Sequence, residues 1–288
     1  MYNLRTMSNI KRRFANAALA AALTVAPTIV LAQAPAPEIP VDEIIRKFAE
    51  KEKEFKIARE NYTFRQEVKV QELSSSDRVV GEYETKTDIS FDEKGRRTER
   101  VTYAPPPTLK RLGISKEDLQ DLESIQPFVL TSDEIDLYNL KFGGKDKIDE
   151  ITCYVFDVSP KKIEKDKRYF EGRIWVDDRD LQIVKTYGKA VPDRLTKGNE
   201  NLAPRFETYR EQIDEYWFPT YTRAVDTLNF ESGPIKMREI IRYTDYKKFQ
   251  TSVKLRFGGE VTDDKTAPAS DPDKDKDLAP ALDPRLKK

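Results

Sequence analysis

The chain has 288 residues, enough for one or two domains, with 51 basic and 51 acidic residues and a single cysteine. It contains no histidine, which removes Ser-His-Asp and Cys-His catalysis together with the commonest metal ligand. Balanced charge argues against a general nucleic-acid binder, which carries a basic excess, and one cysteine permits no intramolecular disulfide.

In chain order, Arg5, Lys11, Arg12 and Arg13 form a basic start without acidic residues, followed by an apolar Ala- and Leu-rich run over 14–31. Pro27 interrupts that run, and Ala32-Gln33-Ala34 closes it with the small-x-small pattern of a leader-peptidase site. The sequence therefore predicts a cleaved export signal over 1–34, cut after Ala32 or Ala34. A retained anchor would need about 20 uninterrupted apolar residues. Arg12-Arg13-Phe14 is too compact for a twin-arginine signal, and a start at Met7 leaves the export reading unchanged. No cysteine lies near the cut, so the mature chain is predicted to be periplasmic without a lipid anchor. Loss of the leader leaves 47 basic against 51 acidic residues.

An Ala/Pro spacer over 35–40 precedes the segment 41–257, which carries the periodic signal and is expected to be one domain. Val41, Ile44, Ile45, Phe48, Phe55 and Ala58 recur at helical spacing, with Glu43 and the Glu/Lys mixture of 50–54 on the opposite, wet face. After Asn61 the period changes to two, over 62–70 and 79–91, and a return strand over 96–103 follows the turn Asp92-Glu93-Lys94-Gly95. Pro105-Pro106-Pro107 stops it. Ser115 with Asp118 gives a partial capping box for a short helical insertion carrying Leu119 and Leu122. Strands are predicted at 135–142, ending in a turn at Gly143-Gly144, then at 151–158, 168–177, 181–190, 205–213, 216–230, 235–246 and 251–257. Pro219 inside a strand implies an edge position or a bulge. Consecutive strands on short turns form an antiparallel meander, and so many strands must curl. The fold class expected is mainly β (α+β): a curved antiparallel sheet or half-barrel, with the N-terminal helix and the short helical insertion packed on or into it. The tail over 258–288, rich in Pro, Asp and Lys, cannot bury enough surface to fold.

The hairpin Tyr169-Phe170-Glu171-Gly172-Arg173-Ile174-Trp175-Val176-Asp177, followed by Leu181-Gln182-Ile183-Val184-Lys185, resembles that of the periplasmic lipoprotein-carrier (LolA/LolB-like) superfamily. The segments Phe206 to Arg210, Trp217 to Tyr221 and Tyr243 to Phe249 look like later strands of that group. The resemblance implies a half-barrel whose concave side shelters acyl chains. The chain departs from it in lacking a cysteine to lipidate, in offering no match for the carrier's gating arginine, and in its charged tail.

The aromatic set, which includes Phe64, Tyr83, Phe91, Tyr154, Phe156, Phe170, Trp175, Tyr187, Tyr221 and Phe230, reads either as ordinary sheet core or as the lining of an apolar cavity. The ligand-binding reading falls on Tyr83, Phe156, Phe170, Ile174 and Trp175. Cys153, in an apolar strand, reads as a buried small hydrophobe. Asp271, Asp273, Asp275 and Asp277 lack the glycine and closing glutamate of a calcium loop, and Gly143-Gly144-Lys145 lacks the rest of a phosphate loop. No catalytic residue, metal site or cofactor is predicted. The function expected is a non-enzymatic periplasmic carrier or binder of lipid or acylated protein, in the setting of outer-membrane lipoprotein sorting, with peripheral membrane contact allowed. The alternative is an envelope protein-interaction or stress-sensing module on the same fold.

Overall fold

The computed structural model describes residues 39–249 apart from 197–198. The predicted leader, most of the spacer, the strand at 251–257 and the charged tail lie outside the described residues. Helix α1 (Val41–Arg59) starts directly after Pro40, whose carbonyl accepts from the amides of Glu43 at 3.0 Å and Ile44 at 3.1 Å. Asp42 and Glu43 in its first turn and Lys56 and Arg59 in its last complement the helix dipole. Ile44, Phe48, Ala49 and Phe55 form its buried stripe, as the spacing predicts, but Glu52 is buried with them. The prediction that 50–54 is uniformly wet fails at that residue.

The strands are β1 (Tyr62–Leu73), β2 (Val79–Phe91), β3 (Arg97–Tyr103), β4 (Tyr138–Ile148), β5 (Ile151–Pro160), β6 (Tyr169–Asp177), β7 (Ile183–Val191), β8 (Arg194–Thr196), β9 (Asn199–Asn201), β10 (Phe206–Ile213), β11 (Tyr216–Phe230) and β12 (Gly233–Lys248). Ten of them form one curved, open antiparallel sheet in the order β3-β2-β1-β12-β11-β10-β7-β6-β5-β4, and β8 with β9 makes a separate small hairpin. The fold class is the expected one, but the connectivity is not a plain meander. The first strand lies beside the last, so β3 and β4, consecutive along the chain, occupy opposite edges.

Two local predictions change, and that for Pro219 resolves to the bulge rather than the edge. The strand placed at 135–142 begins at Tyr138, after a tight turn at Ile135–Leu137, and continues through Gly143-Gly144 to Ile148. Its register shifts between Phe142 and Gly144, and Gly144 takes φ +103°, so the glycines make a bulge rather than a turn. Pro219 lies in interior strand β11, where a register shift opposite Tyr209 and Arg210 accommodates its missing N–H. The β8–β9 hairpin had no counterpart among the predicted elements.

The convex face is wet and laced with cross-strand ion pairs, such as Lys185–Glu207–Arg223 and Arg65–Asp88–Arg100. A small apolar patch of Cys153, Val155, Trp175 and Val184 interrupts it. The concave face carries two larger clusters. One joins Phe48 of α1 to Phe128, Phe156, Phe170, Ile174 and Phe206. The other gathers Phe64, Val68, Val70, Ile89, Leu122, Leu228, Met237 and Ile241.

Candidate functional site

Because β3 and β4 lie at opposite edges, residues 104–137 must traverse the whole sheet, a span of roughly 43 Å at the usual interstrand spacing. They cross the concave face, and inward-pointing polar side chains hold them there. Gln66 donates to the carbonyl of Leu122 at 3.4 Å and Thr208 to that of Gln126 at 2.8 Å, while Arg210 donates to that of Phe128. Arg210 is fixed in turn by Glu52 at 3.1 and 3.2 Å, a pair that is almost wholly buried, and Glu52 also accepts the amide of Ile183 at 3.0 Å. This polar ridge pins the crossing segment to the sheet.

On one side of the ridge α1 fills the trough. Phe48 meets Phe156 with ring centroids 5.6 Å apart, and Phe128 stacks on Phe170 at 4.3 Å. On the other side the trough keeps a cavity of about 680 Å³, well inside the range of small-molecule pockets. Its floor is Val70 of β1, Leu228 and Phe230 of β11, and Ile235 and Met237 of β12. Its roof is the segment 111–118 with Leu122, and its side is formed by Arg194 and 200–204.

The roof is anchored at several points. Glu72, buried at the end of β1, accepts the amides of Lys110 at 3.0 Å and Arg111 at 2.9 Å. The Arg111 side chain donates to the carbonyls of Pro234 at 3.1 Å, Gly233 at 3.1 Å and Ser232 at 3.3 Å, tying the roof to the β11–β12 turn. Helix α2 (Lys116–Gln120) opens with a complete capping box, Ser115 accepting the amide of Asp118 at 3.1 Å and Asp118 accepting that of Ser115 at 2.7 Å. Aspartate therefore fills the role usually taken by glutamate or glutamine. Asn201 reaches across from β9 to Ser115 at 2.6 Å, and Arg194 pairs with Glu117.

The inner end of the cavity is polar. Met237 and Ile241 flank Glu239 on the inward face of β12, where the register sets it between Val70 and Ala224. Glu239 is 6% exposed, and its carboxyl accepts from Gln126 Nε2 at 2.6 Å. Burial pushes its pKa up to about 7, with Asp118 and Asp121 adding like-charge repulsion against the single Gln126 bond. Asp121 is itself paired with Arg168 at 2.5 Å. A small recess of about 20 Å³ continues inward from Glu239 to Gln126, Asp121 and Phe206.

The residues predicted to line a cavity divide three ways. Phe156, Phe170 and Ile174 come together, fully buried, in the cluster under α1. Trp175 points from the convex face, its ring beneath Lys185 at 5.2 Å and its indole donating to Asp146 at 3.0 Å. Tyr83 is half-buried on the concave face, paired across the strands with Val70 of the cavity floor. None of the five belongs to the wall of the 680 Å³ cavity. The series Ile235, Met237, Glu239, Ile241, Tyr243 did carry a usable signal: one acid at an inward position of an otherwise apolar alternation. Cys153 is buried, as read, and burial pushes its thiol up to about 12.

Among the described residues no helix is long and apolar enough to cross a membrane. No protein-family model matches the chain, and no curated protein does. Solved structures do. A DUF1329 family protein from Desulfovibrio piger is 16% identical with a TM-score of 0.40, over 75% of this chain and 95% of that one. A LolA superfamily protein from Nitrosomonas europaea is 14% identical with a TM-score of 0.33, over 75% and 97% of the two chains. A domain described as belonging to an outer membrane lipoprotein-sorting protein from Vibrio parahaemolyticus is 13% identical with a TM-score of 0.32, over 71% and 93%.

Proposed function

We propose that this protein is a periplasmic binder or carrier that holds the apolar chain of a lipid, or of a lipidated protein, in the concave cavity beneath the 111–118 roof. The observation that carries the reading is the cavity itself: about 680 Å³ bounded by Val70, Leu112, Ile114, Leu228, Phe230, Ile235 and Met237. Each methylene moved from water into such walls contributes about 0.8 kcal/mol. A chain of modest length therefore offsets the cost of its own immobilisation. The basic-then-apolar start with its small-x-small close supports export as the route to the envelope.

Native mass spectrometry of the full-length gene product, purified from the envelope fraction of its own cells, tests the proposal. The expected result is an adduct of lipid mass that Leu228→Trp, which grows into the cavity, removes while circular dichroism stays unchanged. A protein free of any lipid adduct, with no displacement of a fluorescent fatty acid or alkylamine, would overturn it. A stoichiometric protein partner captured by crosslinking in that lipid-free state would favour the protein-interaction alternative.

A further inference from the structure

The floor of the cavity is apolar, but its inner end presents, at Gln126, a buried hydrogen-bond acceptor with nothing to accept from. Gln126, 4% exposed, gives its amide N–H to Glu239, and its own Oε1 is buried and receives no hydrogen bond. Asn201 has its amide nitrogen on Ser115 Oγ at 2.6 Å and Asp118 Oδ1 at 3.3 Å, which fixes the ring of contacts so that its buried Oδ1 also receives nothing. Gln126 and the Glu239 carboxyl share the recess, while Asn201 stands in the cavity wall beside Asp118. Buried polar atoms are almost always partnered, so an open acceptor next to a buried carboxyl at the end of a cavity marks a place where a donor is missing.

No cationic side chain of the cavity supplies that donor. Arg194 is paired with Glu117, and Arg111 is spent on the carbonyls of 232–234. Arg168, behind the recess, is bidentate on Asp121 at 2.9 and 2.5 Å. Asp118 and Asp121 add negative charge around Glu239. The recess beside Gln126 and Glu239, about 20 Å³, has room for one small polar group. A carboxylate or phosphate pushed into it would meet acceptors and like charge only.

We infer that the chain bound in the cavity ends, at its buried tip, in a hydrogen-bond donor without negative charge, an ammonium or a hydroxyl, received by Glu239 and Gln126. This inference rests on the binder reading above and specifies its ligand class: an amine- or alcohol-ended amphiphile rather than a free fatty acid entering head first. An ammonium satisfies both acceptors and forms an ion pair with ionised Glu239. A hydroxyl gives one hydrogen bond and accepts another from the protonated carboxyl.

Calorimetric titration of the full chain at neutral pH with dodecylamine, 1-dodecanol and dodecanoate, each below its aggregation limit, tests this. The amine is expected to bind about tenfold or more tighter than dodecanoate, with the alcohol between them. Glu239→Gln should erase the preference of amine over alcohol while alcohol binding survives, and Met237→Trp should abolish all three. Equal binding of the three, unmoved by Glu239→Gln, would mean that the recess holds a water only and would overturn the inference, leaving the binder reading intact. Dodecanoate binding tightest would overturn it too. If none of the three binds and Met237→Trp changes nothing, the binder reading falls with it.

Discussion

Replacing Glu239 by glutamine should stabilise the folded protein at neutral and alkaline pH and have little effect in acid. The folded carboxyl has its pKa raised from the ordinary 4.5 to about 7. Below about pH 4.5 the folded and unfolded chains both hold the proton, and the group contributes no pH dependence. Between about 4.5 and 7 the unfolded chain releases its proton while the folded one retains it. Unfolding then loses protons, and stability falls as pH rises. Above about 7 the full cost is in place. At about 1.36 kcal/mol per pKa unit, that cost is roughly 3 kcal/mol.

Glutamine keeps the acceptor for Gln126 Nε2, adds an N–H within reach of the open Gln126 Oε1, and carries no charge to desolvate. Urea unfolding of the parent and Glu239→Gln proteins at pH 4 and pH 8, in the absence of ligand, measures the effect. The stability difference between them should grow by about 3 kcal/mol from the lower to the higher pH, in favour of the variant. The groups facing Glu239 are Gln126, Asp118 and Asp121, the last already paired with Arg168. A difference that stays flat between the two pH values, or grows in favour of the parent, would refute the reasoning and show that this carboxyl is not held in a desolvated, cation-free position.

Glu52→Ala should cost about 3–5 kcal/mol in urea unfolding, because it strands the buried Arg210 guanidinium and frees the amide of Ile183; a loss under about 1 kcal/mol would remove the ridge from its structural role. Gly188→Ala should cost about 2 kcal/mol, since its Cβ would lie 2.7 Å from the Phe170 ring and press on the carbonyl of Glu171; an unchanged unfolding midpoint would show that this rung has slack. Cys153, buried with its thiol pushed up to about 12, should react with a thiol-specific disulfide reagent only as fast as the protein opens, whereas rapid labelling in native buffer would place the thiol at the surface.

The parts of the fold visible in the sequence are those set by local periodicity. The α1 stripe, the alternation of β1 and β2, the Asp92–Gly95 turn and the bulge at Pro219 all follow from side-chain period and backbone chemistry. Pairing between distant strands leaves no such local mark, so the neighbouring of β1 with β12 and the flight of 104–137 from edge to edge were not legible. The candidate site depends on that pairing. Phe156, Phe170 and Ile174 lie on the inward face, but only the packing of α1 distinguishes a filled half of the trough from an open one. Trp175 was drawn to the ligand by its aromatic size, while its odd position in β6 turns it outward opposite Phe170 and Ile174. Glu52 reads from the sequence as one of the wet charges of 50–54, and its partnership with Arg210 spans 158 residues of chain, beyond any short-range pattern.

The location of the cavity then follows from the connectivity. An open ten-stranded sheet has one trough, and α1 covers only part of it, running from Phe156 of β5 past Phe218 of β11 to Phe91 of β2. The remaining floor, from β1, β12 and β11, is roofed by a connection that exists because β3 and β4 are at opposite edges. That connection is largely irregular backbone, held by its carbonyls to Gln66, Thr208 and Arg210 and by its amides to Glu72. A roof fastened mainly through its backbone leaves few side chains to fill the space beneath it, whereas a helix fills the space beneath it with Phe48 and its neighbours. The same backbone path carries Gln126 and Asp118 to the centre of the sheet, opposite the one acid on the inward face of β12. The open half of the trough and its polar inner end are thus two consequences of a single crossing.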